Sequence, residues 1–180
     1  MNSRERVLAA IEHREPDRVP LDMGGTIMSG IMALALIELR KALGLENRLV
    51  KIYEPYQMLG EVEMDVVEAL GIDVLPVEPD ALFFGLPRRD WKPFTLWDGT
   101  RVLVPGRFNV ETTADGSWLI REGGDPNGRP VGIMPKNGYY FDQVGDQTLH
   151  DDFTPPPLKE AEQAWRKLLP EAKLEFLVRK

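Results

Sequence analysis

The feature that most constrains this chain is an alternation of helix and strand signals over residues 2–77, because alternating elements bury their apolar faces best around a parallel sheet. It begins with a capped helix. Asn2 is placed to cap the first turn, and Glu5, three residues on, can answer the Asn2 backbone N–H, so two orphan donors are satisfied reciprocally. Val7, Leu8 and Ile11 follow at helical spacing, and Pro16 forbids continuation. Residues 19–22 then read as a short strand that ends in a carboxylate, Asp22, followed closely by Gly24-Gly25.

Two further helix-to-strand steps follow. Residues 31–43 have high helix propensity and stop at Gly44, a natural C′ residue; their apolar side chains run nearly all round the first turns, which implies burial on more than one side. Residues 49–53 read as a second strand closed by Pro55. Residues 61–70 form an amphipathic helix with Val62, Val66, Ala69 and Leu70 inward, and Gly71 precedes a third strand at residues 72–77. The expectation over residues 1–90 is therefore α/β.

The pattern changes at Trp91. Short β-rich runs at residues 94–97 and 101–104 flank Asp98-Gly99, and runs at residues 109–113 and 117–121 flank Asp115-Gly116. An Asp-Gly pair between such runs is the strongest short-range hairpin signal, so residues 91–150 read as an inserted antiparallel hairpin or meander region. Residues 123–130 are a loop, and Tyr139-Tyr140-Phe141 opens a last aromatic run. The consecutive prolines of residues 151–157 form a stiff linker, followed by a helix over residues 158–168 and another from Pro170. That last helix reaches Lys180 without a stop signal, so the chain is expected to end inside an element.

Composition excludes several classes. A net charge of −7 argues against a phosphate-backbone partner, which selects a basic face. The absence of cysteine removes disulfides, thiolate nucleophiles and Cys-containing zinc sites, and fits a reducing cytosol. No run approaches the ~20 apolar residues of a membrane span, and no signal peptide is visible, so the expected location is cytoplasmic.

The opening, SRERVLAAIEHREPDRVP with the apolar strand after it, resembles the start of the uroporphyrinogen decarboxylase-like superfamily, which includes the decarboxylase and corrinoid-dependent methyltransferases. The likeness is strongest over residues 3–26 and continues more loosely through residues 61–78 and 169–180. The resemblance implies the N-terminal part of a (β/α)8 TIM-type barrel. A complete barrel runs to ~250 residues, so these 180 would be its first portion carrying the β-rich insertion.

Candidate chemistry follows from position. In a barrel the C-terminal strand ends share one mouth, which here would gather Asp22, Glu54, Tyr56, Glu78 and Asp80. Asp22 and Glu54 are the candidate catalytic carboxylates, and Gly24, Gly25, Tyr56, Glu78 and Tyr140 the candidate substrate contacts. The local alternative is that Gly24-Gly25 make a tight turn and Asp22 caps the next element. By the resemblance, the decarboxylase carries arginines after its first strand to hold the substrate's propionates; residues 22–30 here contain none, which shifts weight to the methyltransferase branch. That branch implies methyl transfer between a small methylated substrate and cobalamin on a corrinoid partner protein, with a homo-oligomer as a further partner state. Family zinc ligands lie in the second half of the barrel, so no metal site is assigned. His13 reads as structural, suited to a helix C-terminus. The alternatives are a non-catalytic α/β binding or assembly module and, with less weight, uroporphyrinogen decarboxylation.

Overall fold

The computed structural model describes residues 1–144, 157–160 and 163. A compact unit spans Met1–Gly145, and the remainder forms a second unit, of which residues 158–160 and 163 are helical. The linker expected at residues 151–157, apart from Pro157, and the helix expected from Pro170 lie outside the described residues.

In chain order the elements are α1 (Ser3–Ile11), β1 (Ile31–Met32), α2 (Ala33–Ala42), β2 (Ile52–Glu54), β3 (Leu59–Gly60), α3 (Met64–Leu70), β4 (Ala81–Leu82), β5 (Leu86–Pro87), β6 (Lys92–Thr95), β7 (Arg101–Val104), β8 (Val110–Thr112), β9 (Trp118–Arg121), β10 (Pro130–Met134) and β11 (Asp142–Gln143). The opening helix carries the capping box read from the sequence: Asn2 Oδ1 accepts from Glu5 N at 2.8 Å, and Asn2 N donates to Glu5 Oε2 at 3.0 Å. Both Asp-Gly hairpins also form, as β6–β7 and β8–β9, with Gly99 and Gly116 each at φ +85° in the turns.

The barrel expectation is overturned. The described residues form four small sheets with antiparallel pairing throughout their named strands, and no closed barrel. The reason lies in the two segments that were to begin a parallel sheet. Residues 19–22 and 72–77 run side by side but exchange one backbone bond, Asp73 N to Leu21 O at 2.8 Å. Pro20 and Pro76 remove a donor from each run, so a ladder cannot propagate. Side chains hold the segments instead. Asp73, its side chain wholly shielded from solvent, takes Arg6 Nη1 at 2.5 Å, Arg18 Nη1 at 2.7 Å and the Leu21 amide at 2.9 Å.

The run at residues 49–53 contributes β2, but in a sheet of order β1–β3–β2 with antiparallel neighbours. The helix predicted for residues 31–43 gives up Ile31 and Met32 to β1, and the one predicted for residues 61–70 starts at Met64. Arg40 of α2, almost fully buried, grips Asp65 of α3 through two bonds of 2.9 Å each. This pair fixes the helices against each other, and Arg40 holds the Asp65 carboxyl below its ordinary range.

One apolar core joins the N-terminal elements to the β-rich region, with Leu36, Ile52, Val66, Phe84, Val102, Phe108, Ile120 and Phe141 all in it. The insertion therefore packs as part of the same core. Among the described residues no helix is long and apolar enough to cross a membrane.

Candidate functional site

A cleft of about 240 Å³ forms where three stretches meet: the turn at residues 24–27, Tyr53 and Glu54 of β2 with the adjoining Glu61 and Val62, and the extended segment from Pro76 to Arg88. Its walls are largely apolar, from Ile27, Val62, Pro76, Val77, Leu82 and Phe83. Four of the residues selected from the sequence, Gly24, Gly25, Glu54 and Glu78, line it together.

Local geometry explains each placement. Asp22 Oδ1 accepts from Gly25 N at 2.9 Å, so this carboxylate closes the turn behind the cleft wall. A Cβ on Gly25 would lie 2.5 Å from that same oxygen and 2.7 Å from Val74 Cγ1, so packing of the turn itself requires glycine there. Thr26 caps the next short turn, its Oγ1 accepting from Met28 N at 3.2 Å. Glu54 is 3% exposed, and its two oxygens take the amides of Tyr56 at 2.9 Å and Gln57 at 2.8 Å. Burial raises the Glu54 carboxyl above its ordinary range against the opposing pull of those two bonds.

Tyr56 does not line the cleft but supports it: its ring stacks on Phe83 at 4.8 Å between centroids. Phe84 adopts the left-handed backbone at φ +62°, which lets Phe83 reach the cleft while Phe84 enters the core. Tyr140 is 57% exposed and lies apart from this cleft.

Three ionisable lining residues, Tyr53, Glu61 and Arg88, were not among those selected from the sequence. Glu61, assigned there to a helix start, sits just after β3, and one of its oxygens, Oε2, is buried without a hydrogen bond among the described residues. Lys51 Nζ lies 3.7 Å from that oxygen, and Arg88 Nη2 is 3.3 Å from Oε1. Desolvation raises the Glu61 carboxyl, with Lys51 and Arg88 pulling the other way. Arg88 also pairs with Glu78 at 2.5 Å. Tyr53, its phenol pushed up to about 12 by burial and then by Glu54 and Asp22, remains a protonated donor at neutral pH. The lining thus carries three carboxylates, Glu54, Glu61 and Glu78, against the Arg88 cation.

Among the described residues no cluster of three or more His, Asp or Glu is arranged to hold a metal ion. The chain matches no protein-family model, no curated protein and no solved structure.

Proposed function

We propose that the cleft binds a small methylated ammonium substrate, and that this binding serves methyl transfer of the uroporphyrinogen decarboxylase-like, corrinoid-linked kind. The observation that carries the reading is Glu61 Oε2: a buried carboxylate oxygen with no hydrogen bond among the described residues and a long ion pair, 3.7 Å, to Lys51 Nζ, in a cleft whose described lining holds more carboxylates than cations. A methylated ammonium offers what this setting lacks, a weakly hydrated positive charge with apolar methyls. Close pairing of opposite charges at ~4 Å is worth on the order of 1–4 kcal/mol at solvent-accessible to partly shielded dielectrics. The aromatic rings of Tyr53 and Phe83 add favourable faces for the cation.

A cleft of about 240 Å³ does not admit a corrin macrocycle, so cobalamin does not fit inside it and would remain on its partner protein. This chain's own residues bind and orient: Glu61 holds the cation, Tyr53, whose hydroxyl donates to the Thr26 carbonyl at 3.5 Å, turns its ring to the cleft, and Phe83 excludes water. Uroporphyrinogen decarboxylation has weaker support, because a polyanionic tetrapyrrole would face Glu54, Glu61 and Glu78 with Arg88 as the lining cation.

A second reading, a non-catalytic binding or assembly module, is favoured by one observation. Glu54 and Asp22, the two carboxylates selected as catalytic, are engaged by backbone amides and hold turns. Calorimetric titration of the full chain with tetramethylammonium chloride tests both readings. Saturable binding that weakens about tenfold in Glu61→Gln and fades as pH falls supports the cation site. Methylation of cob(I)alamin by tetramethylammonium, followed by absorbance, then favours the transferase, and binding without turnover favours the module. Absence of saturable binding, or binding indifferent to Glu61→Gln, refutes the cation site.

A further inference from the structure

A second cavity, of about 220 Å³, shares no lining residue with the cleft. It lies where the β1–α2 junction, the β6–β7 turn, β9 and the end of β10 meet. Its aromatic wall is Trp97 stacked on Trp118, with 3.6 Å between centroids and 20° between planes. Three methionines, Met32, Met58 and Met134, line it together with Leu34 and Leu96. Trp97 also carries an unmet requirement: its indole Nε1 is buried and has no hydrogen-bond partner among the described residues.

We infer that this cavity is a binding site for a neutral, planar aromatic molecule of one substituted ring that presents a hydrogen-bond acceptor to the Trp97 indole N–H. Size sets the first limit. A cavity of about 150 Å³ accommodates benzene, so about 220 Å³ accommodates a ring with a short substituent. Shape sets the second, because the flat indole pair and adaptable thioethers, which favour aromatic edges and faces, suit a ring over a branched aliphatic. Charge sets the third. Among the described residues the lining includes Asp98 and neither lysine nor arginine, which disfavours anions, whereas an organic cation would leave the buried indole donor without an acceptor.

Titration of the full chain, labelled with ¹³C at its methionine methyls and ¹⁵N at its indoles, tests this by NMR with three probes. Methyl benzoate supplies ring and acceptor, toluene the ring alone, and methyl cyclohexanecarboxylate the acceptor on a puckered ring. Methyl benzoate is expected to move the Met32, Met58 and Met134 methyls and the Trp97 indole resonance saturably, binding about fivefold more tightly than toluene, as one net hydrogen bond would give. The saturated ester is expected to leave those signals in place. In Trp97→Phe, which keeps an aromatic face and removes the donor, methyl benzoate should fall to the affinity of toluene. The inference is overturned if methyl benzoate moves none of the three methyls, if the saturated ester binds equally well, or if toluene matches methyl benzoate in the unaltered chain. The last two comparisons need no variant, so they stand even where Trp97→Phe fails to fold. Tetramethylammonium binding at the cleft is read on separate residues, so either site can fail without the other.

Discussion

Gly124 offers a measurable link between the β-rich region and the cleft. It ends the turn Glu122–Gly124, which packs against the turn Phe83–Gly85 that carries the cleft residue Phe83. Gly124 has φ +66°, and a Cβ built on it would lie 1.7 Å from the Arg107 carbonyl oxygen and 2.8 Å from its carbon. Both contacts are with backbone, so no side-chain rotation relieves them. In Gly124→Ala the two segments must part by more than an ångström, which also breaks the 3.3 Å bond from Asn109 Nδ2 to the Gly124 carbonyl.

The left-handed backbone costs about 1–2 kcal/mol with a β-carbon, overpacking about 1–3 and the lost hydrogen bond about 1, roughly 3–6 kcal/mol together. Gly99→Ala isolates the first of these, since Gly99 has φ +85° but open space where the Cβ would sit. It should cost only about 1–2 kcal/mol. Urea unfolding of both variants measures the difference, which should be about 2–4 kcal/mol and should appear as a lower midpoint at similar slope. Because domains are stable by only about 5–15 kcal/mol, Gly124→Ala should leave the protein near its folding threshold, whereas Gly99→Ala should not. Equal losses in the two variants, within about 1 kcal/mol, would refute the steric argument, because backbone conformation alone would then account for both.

Two pH-dependent effects follow from the carboxylates. The Glu61 carboxyl is raised in the folded state, so the folded protein binds the extra proton, and stability is lost as pH rises through that raised value. Glu61→Gln removes this loss, and its stability relative to the unaltered protein should climb between pH 4 and pH 8 in urea midpoints; a difference flat across that range would contradict the desolvated placement. Asp73 has the opposite sign. Burial pushes it up, but the Leu21 amide, Ser3, Arg18 and Arg6 together hold it well below the ordinary carboxylate range, so its stabilisation is present at neutral pH and disappears as pH falls through the folded value. Asp73→Asn should therefore be less stable at pH 7 and approach the unaltered protein in strong acid, as followed by circular dichroism, and a gap that persists undiminished at pH 2 would count against the ion cluster.

Local signals were legible in this sequence, and long-range pairing was not. The Asn2–Glu5 cap and the two Asp-Gly turns depend on contacts within a few residues, so residue identity decides them. The parallel sheet depended on partners about 50 residues apart, where apolar runs at residues 19–22 and 72–77 looked alike whether they paired or not. Pro20 and Pro76 were the visible warnings, since each deletes a donor that a ladder would need. The β2–β3 turn carried no comparable warning: Met58 occupies φ +56°, a conformation for which methionine gives no sequence signal. Yet Gly24, Gly25, Glu54 and Glu78, chosen because they follow apolar runs, do share one cleft. The choice rested on a barrel that does not form: the run before Glu54 is buried at Val50 and Ile52, but Val19, Leu21, Leu75 and Val77 in the other two runs are exposed, so Gly24, Gly25 and Glu78 reach the cleft on surface segments. What position could not show was which carboxylate keeps an oxygen without a hydrogen bond among the described residues. Glu54 looked like the reactive group and is occupied by two amides, while Glu61, read as the first residue of a helix, has the unbonded oxygen. That difference is set by the backbone around each residue, and it moves the chemical interest of the cleft from the residue that ends a strand to the one that begins the next turn.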